Sequence, residues 1–177
     1  MNREKEKLQA IIDVLPKKAV TELLYHAEFT KGRYDFIKGF TDKGVIATDY
    51  DGAYLRKLWE EAFANTISKS RKYDEIYFDQ FLWHVFSYND LSCKKGEEAN
   101  AAFTEVKKEK CFVFYQNHNY GWLLESAEKI KVGYFKNEQD VYVVDSDFTW
   151  TYINTHESDL GPYFYKKPVR LENIISN

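Results

Sequence analysis

Two short runs, "CFVFYQ" at 111–116 and "DVYVVD" at 140–145, constrain what this chain can fold into more than anything else in it. Each is apolar with almost no polar alternation, and each is too short for a buried helix. That is the pattern of a strand covered on both faces. Strands of this kind need layers above and below them, so the chain has to supply amphipathic helices. It does so twice. Leu55, Leu58, Trp59, Ala62 and Phe63 form one apolar stripe on a predicted helix that Asp51 caps and that runs to Asn65. Ala99, Ala102, Phe103 and Val106 repeat the spacing in "KKGEEANAAFTEVKK". "GWLLESA" follows the polar loop "NHNYG" as a strand partner for 111–116. "FTWTYI", 148–153, sets Phe148, Trp150 and Tyr152 on one side and threonines on the other. The expected fold is α+β, with two helices on a mostly antiparallel sheet.

Ahead of this domain, Leu8, Ile11, Ile12 and Leu15 have helical spacing, Pro16 restarts the chain, and Val20, Leu23, Leu24 and Ala27 repeat the pattern. A helical pair is expected there. Its "LPKKAVTELL" resembles helical segments of small bacterial antitoxin-like proteins. From Lys31 to Asp51 the pattern lapses among Gly32, Gly39, Gly44 and Gly52. The expected division is a helical segment at 1–44 and an α+β domain at 45–177. "EIYFDQFLWHVFSY", 75–88, reads as one or two strands or as a buried aromatic segment.

A net charge of −3 offers no basic footprint for a phosphate backbone or an anionic bilayer, so neither nucleic acid nor membrane is an expected partner. No apolar run approaches a membrane span. The opening "MNREKEKLQAIIDVLP" lacks the pattern of a signal or transit peptide, and the two cysteines, Cys93 and Cys111, are too few for a disulfide framework. A reducing cytoplasm and two buried thiols are therefore expected. The aromatic share is 18%, from 14 Tyr, 13 Phe and 4 Trp, and those rings either thicken the core or line a recognition surface.

The chemistry-bearing residues gather at the two ends of one predicted strand. Asp145 and Asp147 bracket Ser146 at a hairpin-length link, where Asx side chains bond their own backbone; carboxylates two apart also suit a hard cation. His156 and Glu157 end the strand before the Gly161-Pro162 turn, as a loop anchor or as an acid–base or ligating pair. His84, Cys93, His118 and His156 share no zinc-ligand spacing. Nucleophile elbows and glycine-rich phosphate loops are missing, and no cofactor or metal is expected. Turn chemistry is the favoured reading of the four residues.

Taken together, "YLRKLWEEAFAN", "FLWHVFSY", "CKKGEEANAAF", "CFVFYQ" and "VYVVDSDFTWTYINTHESDLGPYF" resemble a bacterial family known as domain of unknown function 4275, over about residues 50–166. The resemblance implies a small cytoplasmic bacterial protein and carries no activity, cofactor or catalytic residue with it.

The leading functional expectation is a non-enzymatic interaction protein of the immunity or antitoxin kind, binding a protein partner through Trp122, Trp150, Tyr152 and Tyr163 on an acidic face. The alternative is a metal-assisted hydrolase using His156 and Glu157 with Asp145 or Asp147, and with His84 as a further ligand; it requires those side chains to converge. A small-molecule site with an aromatic pocket is a third reading. Oligomeric state and the choice between enzyme and non-enzyme stay open at this point.

Overall fold

The computed structural model describes residues 3–168. The chain forms two compact units, Met1–Asp42 and Lys43–Asn177. In the first unit, α1 (Arg3–Ile12) and α2 (Lys17–Thr41) are separated by Pro16, whose extended backbone starts the second helix. Helix α2 runs straight through Gly32 and Gly39, which corrects the lapse expected after Lys31. Glycine costs about 1 kcal/mol per helix position. Here ion pairs four residues apart, Lys31 with Asp35 and Lys38 with Asp42, add helical support, as does an edge-on contact of Phe36 with Phe40 at 4.9 Å.

The second unit is built on a seven-stranded sheet in the order β1-β4-β3-β5-β6-β7-β2, with every described pair antiparallel. The strands are β1 (Ile46–Asp51), β2 (Lys94–Lys95), β3 (Lys110–Tyr115), β4 (Tyr120–Glu125), β5 (Val141–Asp145), β6 (Trp150–Asn154) and β7 (Tyr163–Lys166). The fold class is α+β. As the apolar runs require, β3 and β5 sit side by side at the centre. Helix α3 (Gly52–Phe63) covers one face: Asp51 accepts from the Ala53 N–H at 2.8 Å, and Leu55, Trp59 and Phe63 are buried. The Trp59 ring meets Tyr142 at 5.8 Å, and its indole N–H donates to the Thr151 hydroxyl at 3.0 Å. Helix α5 (Gly96–Glu105) covers the other face, where Phe103 lies 4.4 Å from the Tyr152 ring.

The stretch 75–88 is the buried aromatic segment and not a strand. It continues from a π turn at Arg71–Glu75 into the one-turn helix α4 (His84–Ser87), with Ile76, Phe78, Leu82, Trp83, Val85 and Phe86 buried. Its main chain needs no ladder because local turn bonds satisfy most of it, such as the Phe78 N–H to the Lys72 carbonyl and the His84 N–H to that of Phe81. The sheet supplies two further acceptors: the Leu82 N–H donates to Gln116 Oε1 at 3.1 Å and the Trp83 N–H to the Tyr142 hydroxyl at 3.3 Å. Strands β1, β2 and β7 were not legible in the sequence pattern. β1 is an exposed edge, β2 is two residues long, and β7 follows a Gly-Pro turn. Among the described residues no helix is long and apolar enough to cross a membrane.

Helix α3 and β4 approach so closely that both contacts are glycines. A Cβ on Gly52 would lie 2.7 Å from the Tyr120 carbonyl oxygen, and one on Gly121 would lie 3.1 Å from the Gly52 Cα. Gly52→Ala is therefore expected to lower stability by about 1–3 kcal/mol, read from the urea midpoint, because the obstacle is backbone. Burial pushes the Cys111 thiol up to about 12 and the part-exposed Cys93 thiol up to about 11. Both stay protonated below those values, so iodoacetamide at neutral pH is expected to leave them unmodified in the native chain and to alkylate both in 6 M urea, as mass spectrometry would count.

Candidate functional site

Antiparallel pairing of Val141 with Asn154 brings the residue before β5 next to the loop after β6. Asp140 and His156, 16 positions apart, meet there. Asp140 is buried, and three donors converge on its carboxylate: His156 Nδ1 at 2.9 Å from each oxygen, the Trp83 indole N–H at 3.0 Å and the His156 backbone N–H at 3.3 Å. The Asp140 carboxylate accepts from the Nδ1–H of His156 and so fixes the orientation of the imidazole ring. The His156 side chain is one-third exposed, and its Nε2 lies 3.6 Å from Glu157 Oε1.

A second histidine is fixed in the same sense. Nδ1 of His84 lies 2.6 Å from the Ile76 carbonyl and 3.2 Å from that of Tyr77, both of which only accept, so its proton is also on Nδ1. The Phe81 ring lies beside both imidazoles, 4.9 Å from His156 and 5.4 Å from His84. Trp83, His84, Ser87, Tyr88, Glu157 and Leu160 line a cleft of about 260 Å³. His156 borders a separate cleft of about 470 Å³ that includes Glu138, Asn154 and Ser158. Tyr77 and Asp140 both hold left-handed backbone, at φ 51° and 50°. Strained non-glycine positions of this kind gather at functional sites.

The four acid and histidine residues singled out in the sequence do not converge. Asp145 closes the β5–β6 hairpin, accepting from the Thr149 N–H and hydroxyl at 2.6 Å each and from the Trp150 N–H at 3.0 Å. Asp147 is exposed in the same turn. His156 and Glu157 lie at the opposite end, separated from Asp145 by the five residues of β5, about 16 Å at strand rise. Among the described residues no three His, Cys, Asp or Glu side chains are grouped to hold a metal ion. The convergence that a metal-assisted hydrolase requires is absent from this arrangement.

Nor do the four aromatic residues expected to meet a partner reach the surface. Trp150, Tyr152, Trp122 and Tyr163 are 3%, 1%, 5% and 1% exposed. Trp150 stacks on Phe164, Tyr152 donates to Asn100 Oδ1 at 2.9 Å, Trp122 stacks on Tyr120, and Tyr163 lies between Trp83 and Phe86. Sequence reasoning missed Asp140, which reads only as the polar lead-in to a central strand, and Tyr88, which reads as one aromatic among many.

Asp140→Ala is expected to cost about 1–3 kcal/mol for each buried donor it orphans. Asp140→Asn keeps one acceptor and tolerates the left-handed backbone, so it should lose less. Urea unfolding of both variants checks the order; equal losses would show that the carboxylate is not what holds Trp83 and His156.

No curated protein and no solved structure matches this chain. The model of one family, described as Domain of unknown function (DUF4275), matches residues 36–164 of the 177, and the chain belongs to that family.

Proposed function

We propose that Lys43–Asn177 is a non-catalytic protein-recognition module of the immunity or antitoxin kind, acting in a bacterial cytoplasm through the rim of the His84–Glu157 cleft. The observation that carries this reading is the sorting of aromatic side chains. Among the described residues, every aromatic more than about a third exposed is a tyrosine, in this unit Tyr50, Tyr54, Tyr73, Tyr77, Tyr88 and Tyr120. Tyrosine offers rigid contact area with a polar tip, and it is enriched at protein interfaces for that reason. Two of the six flank one site: the Tyr77 carbonyl holds His84, and the Tyr88 ring lies 5.6 Å from the His84 ring. Leu160, 41% exposed, adds an apolar contact on the same rim.

A second reading, an acid–base enzyme, is favoured by one feature: Asp140 holds His156 by Nδ1 at a cleft edge, the orientation an acid–base residue needs. Against it, among the described residues no nucleophilic side chain is hydrogen-bonded to the Nε2 of His156, and Ser158 only borders the same cleft.

The two readings separate in affinity capture with the full chain as bait from its source cell. The recognition reading expects a near-stoichiometric partner whose retention falls about tenfold, some 1.4 kcal/mol, in Tyr77→Ser/Tyr88→Ser and stays unchanged in Tyr50→Ser/Tyr54→Ser. A partner held equally by both double variants, or none at near-stoichiometric yield, would overturn it.

A further inference from the structure

Along helix α2, Val20, Leu23, Ala27, Thr30, Tyr34 and Ile37 recur at steps of three and four, which sets them in one line about 26 Å long. No residue of this seam is buried: Ala27, Thr30 and Tyr34 are exposed, Tyr34 by 67%, and Val20, Leu23 and Ile37 are half-buried. A groove lined by Leu23, His26, Ala27, Thr30, Lys31 and Tyr34 lies at its middle. Two of the polar side chains there are turned to their own helix. The Thr30 hydroxyl donates to the His26 carbonyl at 2.9 Å, and Lys31 pairs with Asp35. The line from Leu23 through Ala27 to Tyr34 is thus left for apolar contact. Phe29, Phe36 and Phe40, with the Arg33 guanidinium over the first two rings, form a separate stripe.

We propose that this seam pairs with the same seam of a second copy of the chain, the two α2 helices running antiparallel. Three features select that occupant. The spacing is its own mirror, since the steps read three, four, three, four, three from either end. A two-fold axis crossing the seam between Glu28 and Phe29 therefore sets Val20 against Ile37, Leu23 against Tyr34 and Ala27 against Thr30, each pair made twice. The sizes fit a crossing of two helices. Small Ala27 and Thr30 at the centre let the axes approach, and the bulkier side chains on either side fill the gap that widens as straight helices diverge. The charges fit the direction. Lys17 and Lys18 stand in the first turn of α2, at the positive end of their own helix, where no acidic residue offsets them. Antiparallel pairing lays them beside the negative end of the other helix and its Asp42, whereas parallel pairing would gather four lysines at one end. A foreign partner requires none of this self-matching symmetry.

A seam of this length lies at the small end of specific interfaces, so association in the micromolar range is expected. Sedimentation velocity of the full chain across roughly 1–100 µM should show a monomer that passes to twice its mass as concentration rises. Leu23→Glu and, separately, Tyr34→Glu each place a charge in the seam twice per dimer and should weaken pairing at least tenfold. Tyr25, 72% exposed on the far side of the same helix, gives the control: Tyr25→Glu should leave pairing unchanged. Circular dichroism checks that the helix survives each change, and Tyr34, already exposed in the single chain, serves should Leu23→Glu cost helix. Direction is read from disulfides in a glutathione buffer, where an Ala27→Cys chain mixed with a Thr30→Cys chain should crosslink faster than either chain alone. A monomer at every concentration, or a dimer that Tyr34→Glu leaves intact, would overturn the pairing. An Ala27→Cys chain that crosslinks with itself faster than with the Thr30→Cys chain would overturn the antiparallel register.

Discussion

The Tyr142 side chain is the joint on which the second unit depends. Its ring is fully buried, stacked on Phe114 at 5.0 Å with 6° between planes and met edge-on by Trp59. Its hydroxyl donates to Gln116 Oε1 at 2.7 Å and accepts from the Trp83 N–H. One residue of the central strand thereby ties helix α3 to the sheet and gives the irregular segment at 75–88 an acceptor for its Trp83 N–H. Burial, reinforced by the nearby Asp140, raises its pKa well above the ordinary value, so the phenol keeps the proton it donates. Trp83, held this way, turns its indole N–H onto Asp140, and Asp140 orients His156. The candidate site is the far end of a chain of contacts that begins in the core.

The strong periodicities in the sequence correspond to elements that bury apolar stripes: α3 behind its Asp51 cap, α5, and the four strands β3, β4, β5 and β6. Patterning reads these well because burial itself writes the pattern. It fails where something other than burial decides. Helix α2 continues through two glycines on the strength of neighbouring ion pairs, and β1 is a strand only because β4 offers it an edge. The segment at 75–88 is rich in strand-favouring residues, yet its own turn bonds, with Gln116 and Tyr142 accepting from Leu82 and Trp83, take the place of a ladder.

The site was half legible. His156 and Glu157 stand out as a polar pair ending an aromatic strand, and turn chemistry at Asp145 follows from hairpin length alone. The partner that gives His156 its orientation could not be found the same way. Asp140 lies 16 positions earlier and becomes a neighbour only through the register of β5 against β6. The exposed and buried aromatics were equally hard to separate, since period-two alternation marks an inward and an outward side only where one face of the sheet is wet. Here helices and loops cover both faces, so Trp150 and Thr151, pointing opposite ways, are both buried.

This explains why the cleft sits where it does. A sheet covered on both faces has no broad surface left for recognition, so contacts with other molecules fall to its ends and to the segments that cover it. The 75–88 segment is suited to that role because its side chains are held rigidly while its backbone departs from regular structure. Left-handed conformations at Tyr77 and Asp140 cost about 1–3 kcal/mol each, and they persist only where the surroundings over-determine them. Both residues here bind a histidine, Tyr77 through its carbonyl and Asp140 through its carboxylate. In each case Nδ1 is the contact atom, with the Ile76 carbonyl at 2.6 Å the nearer partner of His84. Two imidazoles held by Nδ1 contacts in one orientation go beyond what packing requires, because a ring flipped about its Cβ–Cγ bond fills the same volume. What the arrangement fixes is the direction in which each Nε2 points, and that matters to a ligand rather than to the core.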